Sequence, residues 1–135
     1  MKLFLLLLIS FVTIDAAIQV SRVKEIANEL MYDVIDGIKK DDFDKYFETD
    51  TFTYKCCKSP SINYQKVKQL ILENSKQNKF VGLKWKIENA KMINSNRINF
   101  DVKFEKNNKE IKNINFIAIR DGNGYLLARG RQIKC

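Results

Sequence analysis

The side chains that could do chemistry in this chain are three cysteines, five tyrosines and a spread of carboxylates and lysines, with no histidine anywhere. Cys56 and Cys57 are adjacent, and Cys135 ends the sequence. Three thiols without an imidazole fall short of the four sulfur or nitrogen donors of a structural zinc site. A cysteine nucleophile works as the thiolate, and here no histidine can act as its base. Tyr54 or Tyr32 could donate a hydrogen bond to a developing oxyanion, but a donor without a base is half a catalytic site. Asp101 lies on the opposite side of its strand from Phe100 and Val102, so it does not supply that base. The expectation is a non-enzyme with no metal and no cofactor.

These residues are carried by a basic chain of 135 residues, with 24 Lys and Arg against 16 Asp and Glu and a net charge of +8. Hydrophobic residues make up 45% and charged residues 30%, a globular composition rather than a disordered one. Residues 1–16 have the layout of a secretory signal peptide: Lys2, then an apolar run from Leu3, then Ala16 at the expected cut. The uncharged stretch from Leu3 to Ile14 is short of the roughly 20 apolar residues that span a bilayer. No later stretch could span one. A single domain over residues 17–135 is therefore expected outside the cell, where cysteines oxidise. Export also argues against nucleic acid as the partner of the positive charge and leaves anionic glycans or lipid surfaces.

The elements that must position these groups can be read in order. Val20, Val23, Ala27, Leu30, Val34 and Ile38 recur at three and four, which puts them on one face of a helix over residues 20–38, with Ser21 as its N-cap. Asp41 offers a cap to a short helix holding Phe43, Tyr46 and Phe47. Thr51 to Cys57 alternates as a strand, with Phe52, Tyr54 and Cys56 on one side. A second helix carries Val67, Leu70, Ile71 and Asn74 on one face. Leu83, Trp85 and Ile87 alternate with Lys84, Lys86 and Glu88. Ile98, Phe100, Val102 and Phe104 then alternate with polar residues. Ile114 to Ile119 is apolar on both faces, which suits a central strand. Asp121-Gly122-Asn123-Gly124 is a hairpin turn into the closing strand, Tyr125 to Ile133. Helix, helix, strand, helix and four antiparallel strands make an α+β layer pair.

That order, and the step Gly37…Asp41…Phe43…Phe47…Phe52, resembles the nuclear transport factor 2-like (SnoaL-like) superfamily. The run from Phe52 to Lys58, the helix opening at Asn63-Tyr64, the stretch from Tyr125 to Gly130 and the terminal Cys135 are similar to small secreted members found in nematodes. Ser59-Pro60 departs from that pattern, in place of a glycine. The resemblance implies a cone: a bent antiparallel sheet packed on helices, in the nuclear transport factor 2-like or cystatin-like superfold. It also implies a first strand parallel to the last, bringing Cys56 or Cys57 to Cys135, with Cys57–Cys135 the pair the family match favours. Cys56 would then be a buried free thiol.

Within such a cone Phe52, Tyr54, Trp85, Phe100 and Phe104, with Tyr32 from the first helix, either line a pocket for a small apolar ligand or fill the core. Lys84, Lys86, Arg129 and Arg131 could form a basic outer sheet face for an anionic glycan or lipid surface. Ile117, Ile119, Leu126 and Ala128 could leave an apolar strip where two sheets pair in a homodimer. Ketosteroid isomerase and scytalone dehydratase share the architecture and place an Asp or His base in the cone. No such base is evident here, so isomerase- or dehydratase-like catalysis is the weakest of these expectations.

Overall fold

One apolar stripe of the first helix organises the domain. The computed structural model describes side chains from Val20 to Cys135, and the leader expected over residues 1–16 lies outside those described residues. Helix α1 (Lys2–Lys39) buries Val23, Ala27, Leu30, Met31, Val34, Ile35 and Ile38, the positions that a spacing of three and four places on one face. Ser21 lies inside this helix and is not its cap. At the far end the chain folds back over Gly37, where the Asp42 amide donates to the Gly37 carbonyl at 2.8 Å. A Cβ on Gly37 would stand 2.6 Å from the Asp42 carbonyl oxygen, so this return requires glycine. Asp41 takes a left-handed conformation (φ 55°) next to it, and the single 3-10 turn Asp44–Tyr46 has no side-chain cap. Asp41 thus closes the long helix instead of opening the short one.

The strands are β1 (Thr53–Lys55), β2 (Ile62–Asn63), β3 (Lys84–Asn94), β4 (Arg97–Lys106), β5 (Lys109–Asp121) and β6 (Gly124–Gln132), with helix α2 (Tyr64–Lys76) between β2 and β3. They form one six-stranded sheet in the order β2-β1-β6-β5-β4-β3. Strand β1 runs parallel to β6, and the other neighbours are antiparallel. Asn107 and Asn108 take positive φ (54° and 63°) in the two-residue turn between β4 and β5, a geometry asparagine tolerates. Register shifts interrupt β3 after Glu88, where Asn89 is left-handed (φ 52°), and β5–β6 beside Ile117. Such bulges bend a strand and raise its twist, which suits a sheet that curves around α1 without closing.

The inner face carries Ile98, Phe100 and Val102, all fully buried, with Phe116, Ala118 and Leu127 beside them. The expected α+β fold of a bent sheet on helices is the one observed. Three details differ. Strand β3 runs on past Glu88 because a bulge breaks the alternation without ending the strand. The short β2, which pairs with β1, has no periodic signal in the sequence. Strand β1 stops at Lys55, so Cys56 is exposed rather than buried, and its thiol donates to Gln132 Oε1 at 3.0 Å. The reason is Cys57, whose left-handed backbone (φ 48°) turns the chain away from the sheet. Cys57 forms the disulfide with Cys135, with Cα atoms 5.7 Å apart, at the edge where β1 and β6 end side by side. No helix of the described residues is long and apolar enough to cross a membrane.

Candidate functional site

Helix α2 is fastened firmly at one end. Asn63 caps its start by accepting from the Lys66 amide at 3.1 Å. Tyr64 is buried among Phe47 and Phe52, with ring centroids 5.1 and 6.2 Å away. Its hydroxyl donates to the Asp44 carboxylate, which also receives Lys68 Nζ at 2.8 Å. The Lys68 bond, then the Tyr64 bond, hold Asp44 below the usual carboxylate range. Burial, reinforced by Asp44, pushes the Tyr64 phenol strongly up. Further along, the helix stands off the sheet: Val67, Ile71 and Leu72 are only partly buried, and Leu70 is 39% exposed. The loop after α2 carries Lys79, Phe80 and Leu83, and Lys106 Nζ donates to the Asn78 and Lys79 carbonyls at 3.4 and 3.3 Å.

Between α1, this raised part of α2, the loop and the inner sheet lies a cleft of about 430 Å³. Its volume falls in the ~300–1,000 Å³ range of small-molecule sites. Its floor is Phe52, Tyr54, Phe104, Ile114 and Phe116, and α1 adds Met31, Val34, Ile35 and Ile38. Gly130 makes room for the floor: a Cβ there would lie 3.0 Å from Tyr54 Cδ2 and 3.1 Å from Phe116 Cε1. The Tyr54 hydroxyl is buried and has no hydrogen-bond partner. Burial, with a smaller contribution from Cys56, raises its pKa to about 12. Among the described residues the cleft lining includes no Asp, Glu or Cys, and its charged members are Lys79 and Lys112. Among the described residues no three His, Cys, Asp or Glu side chains gather into a metal-ligand group.

A family model described as an NTF2-like domain matches residues 19–135. The chain belongs to the NTF2-like family. Solved structures agree on the fold. An NTF2-like protein of unknown function from Shewanella oneidensis MR-1 superposes with a TM-score of 0.64 at 8% identity, covering 80% of this chain and 96% of that one. A ketosteroid isomerase-like protein from Erwinia carotovora atroseptica gives 0.57 at 9% identity, covering 83% and 97%. A de novo designed protein with a curved β-sheet gives 0.60 at 13% identity, covering 82% and 98%. No curated protein matches the chain at a significant level.

The NTF2-like cone brings together only part of the aromatic set. Phe52, Tyr54 and Phe104 line the cleft. Tyr32 does not: it is 61% exposed, because it falls on the α1 face of Asn28 and Asp36 and away from Met31 and Ile35. Trp85 points inward but lies outside the cleft, where its Nε1 donates to Asn28 Oδ1 at 3.0 Å and ties β3 to α1. Phe100 is fully buried and packs on Phe116 with centroids 5.8 Å apart, so it fills the core instead of lining the cleft.

Lys84, Lys86, Arg129 and Arg131 are exposed on the outer sheet face in two groups, the lysines on β3 and the arginines on β6, with β4 and β5 between them. Lys84 pairs across β3–β4 with Glu105 and Lys86 with Lys103, and across β5–β6 Arg129 pairs with Ile117 and Arg131 with Asn115. Ile117, Ile119 and Leu126 are half-buried on that face, paired with Arg129 and Arg97 at their margins, and Ala128 is the extra residue of the bulge. Phe80, Leu83, Ile111 and Lys112 also line the cleft and are not among the residues that the sequence pattern points to. Ile111 is 51% exposed, and an apolar residue set just after the Asn107-Asn108 turn was the available signal.

Proposed function

We propose that this protein is a secreted, non-catalytic binding domain that holds a small apolar ligand in the cleft beneath α2. The cleft itself carries the proposal: an open space of about 430 Å³ walled almost entirely by apolar side chains. Apolar surface left in contact with water is unfavourable, and a ligand that covers it gains roughly 25 cal/mol per Å² before the costs of binding. The Tyr54 hydroxyl offers one unpartnered donor to orient such a ligand. The Cys57–Cys135 disulfide and the leader composition of residues 1–16 both suit export.

Isomerisation of an apolar ketone needs a base beside the substrate, and the described lining residues offer no carboxylate or imidazole. The test is native mass spectrometry of protein secreted from eukaryotic cells, with Ile71→Trp as the cleft-filling variant. A non-covalent adduct on the native protein, absent from a folded I71W, is the expected result. A bare chain in both, with no apolar compound retained on incubation, would overturn the proposal.

A further inference from the structure

The cleft has a polarity along its depth that its apolar character alone does not require. Its deep wall is buried Phe52, Phe116 and Leu127. Its solvent end carries both of its charged residues, Lys79 from the loop after α2 and Lys112 from β5, and both are exposed. Neither lysine is paired with a carboxylate among the described residues. The nearest acid along β5, Glu110, is taken up by Lys103 and Lys134 at 3.8 and 3.6 Å. The backbone that carries Lys79 is itself held by Lys106 through the Asn78 and Lys79 carbonyls, so a third cation stands behind the same rim. Apolar residues flank the lysines: Leu70 is 39% exposed and Ile111 51% exposed.

A chain of apolar wall ending in unpaired ammonium groups is complementary to an amphiphile, with one apolar tail and one anionic head. We infer that the ligand of this cleft is a long-chain monocarboxylate. This rests on the binding function proposed above. The tail lies against Phe104, Ile114 and the inward face of α2, and the carboxylate stays at the mouth between Lys79 and Lys112. At that position the head keeps part of its hydration while gaining two charge-assisted partners, so its desolvation penalty is small. A phosphate or sulfate monoester head meets the same two cations; the shared chemistry is a single-chain amphiphile with an anionic head, of which the monocarboxylate is the simplest.

The experiment uses three probes that share one eighteen-carbon chain: oleate, oleyl alcohol and oleylamine. Each displaces a neutral fluorescent apolar dye from the full disulfide-bonded protein. Oleate is expected to bind tightest, oleyl alcohol more weakly and oleylamine weakest. Exposed ion pairs contribute modestly, so Lys79→Ala with Lys112→Ala should weaken oleate by roughly three- to tenfold and leave oleyl alcohol unchanged. Raising ionic strength should narrow the gap between acid and alcohol. Equal binding of acid and alcohol, or an acid preference that survives in the double variant, would overturn the head-group assignment and leave the apolar cleft standing. Displacement by none of the three would overturn both the assignment and the binding function. Both lysines are exposed, so the double variant is expected to fold, and circular dichroism checks that it does.

Discussion

The two ends of this cone are built from the same kinds of side chain and differ in what lies on top of them. At one end α1 presses Val23, Ala27 and Leu30 directly onto the sheet, and Ile98, Phe100 and Val102 beneath it lose all exposure. At the other, Phe104 and Ile114 continue the same inward rows, but the element above them is the raised half of α2. That helix is pinned at its start by Tyr64, Asp44 and Lys68, whereas just past its far end the tie is the exposed Lys106 on the Asn78 and Lys79 carbonyls. Inward-facing residues therefore make a core where a helix lies flat and a cleft where it stands away. The pattern of a strand says which side faces in, and the docking of the helix says whether that side is filled.

Truncations at the two ends should separate them most sharply. Phe100→Ala removes a fully buried ring and should cost about 3–5 kcal/mol in denaturant unfolding. Ile111→Ala, at an exposed cleft rim, should cost under about 1 kcal/mol and change ligand retention instead. Equal costs would mean that both ends are packed alike. Next in size is the disulfide, which closes a loop spanning a sequence separation of 78 and holds β1 against β6 beneath the cleft floor. Cys57→Ser with Cys135→Ser should lower stability by about 2–4 kcal/mol, read from the shift of the unfolding midpoint. An unchanged midpoint would show that β1 needs no covalent tie to stay beside β6.

The smallest expected effect lies at the anchor of α2. Asp44 has its carboxyl held below its ordinary pKa by Lys68 and Tyr64, so folding favours the ionised form. For a lowered carboxyl the stabilisation is present above the unfolded pKa, near 3.8, and is lost as pH falls below that value through the folded pKa. The native protein should therefore lose stability between about pH 5 and pH 2 more steeply than Asp44→Asn. Parallel pH profiles would remove Asp44 from the anchor.

Much of the architecture could be read from periodicity. The α1 stripe follows the three-and-four spacing from Val23 to Ile38, and β4 alternates from Ile98 to Phe104 as its burial does. Tyr32 departs from the expected pocket lining, and the same helical geometry accounts for it by setting it beside Asn28 on the exposed face. Cys56 is exposed where the alternation puts it inward as a buried thiol, because of the left-handed turn at Cys57, a conformation that an L-residue adopts against its own preference. The extent of β3 could not be read, since the bulge at Asn89 hides a continuing strand behind a break in alternation. The cleft was legible only by half. Phe52, Tyr54 and Phe104 point inward by pattern, but whether inward means packed or open is set by the lie of α2, which local sequence does not encode.

The most direct test of this division is methyl nuclear magnetic resonance of the disulfide-bonded protein titrated with octanol, an uncharged apolar probe. Saturable shifts are expected at Leu70, Ile71, Ile111 and Ile114, which line the cleft, with Ile98 and Val102 unmoved in the filled end. Shifts spread evenly over both groups, or none at any concentration, would contradict an open cleft at one end of a packed cone.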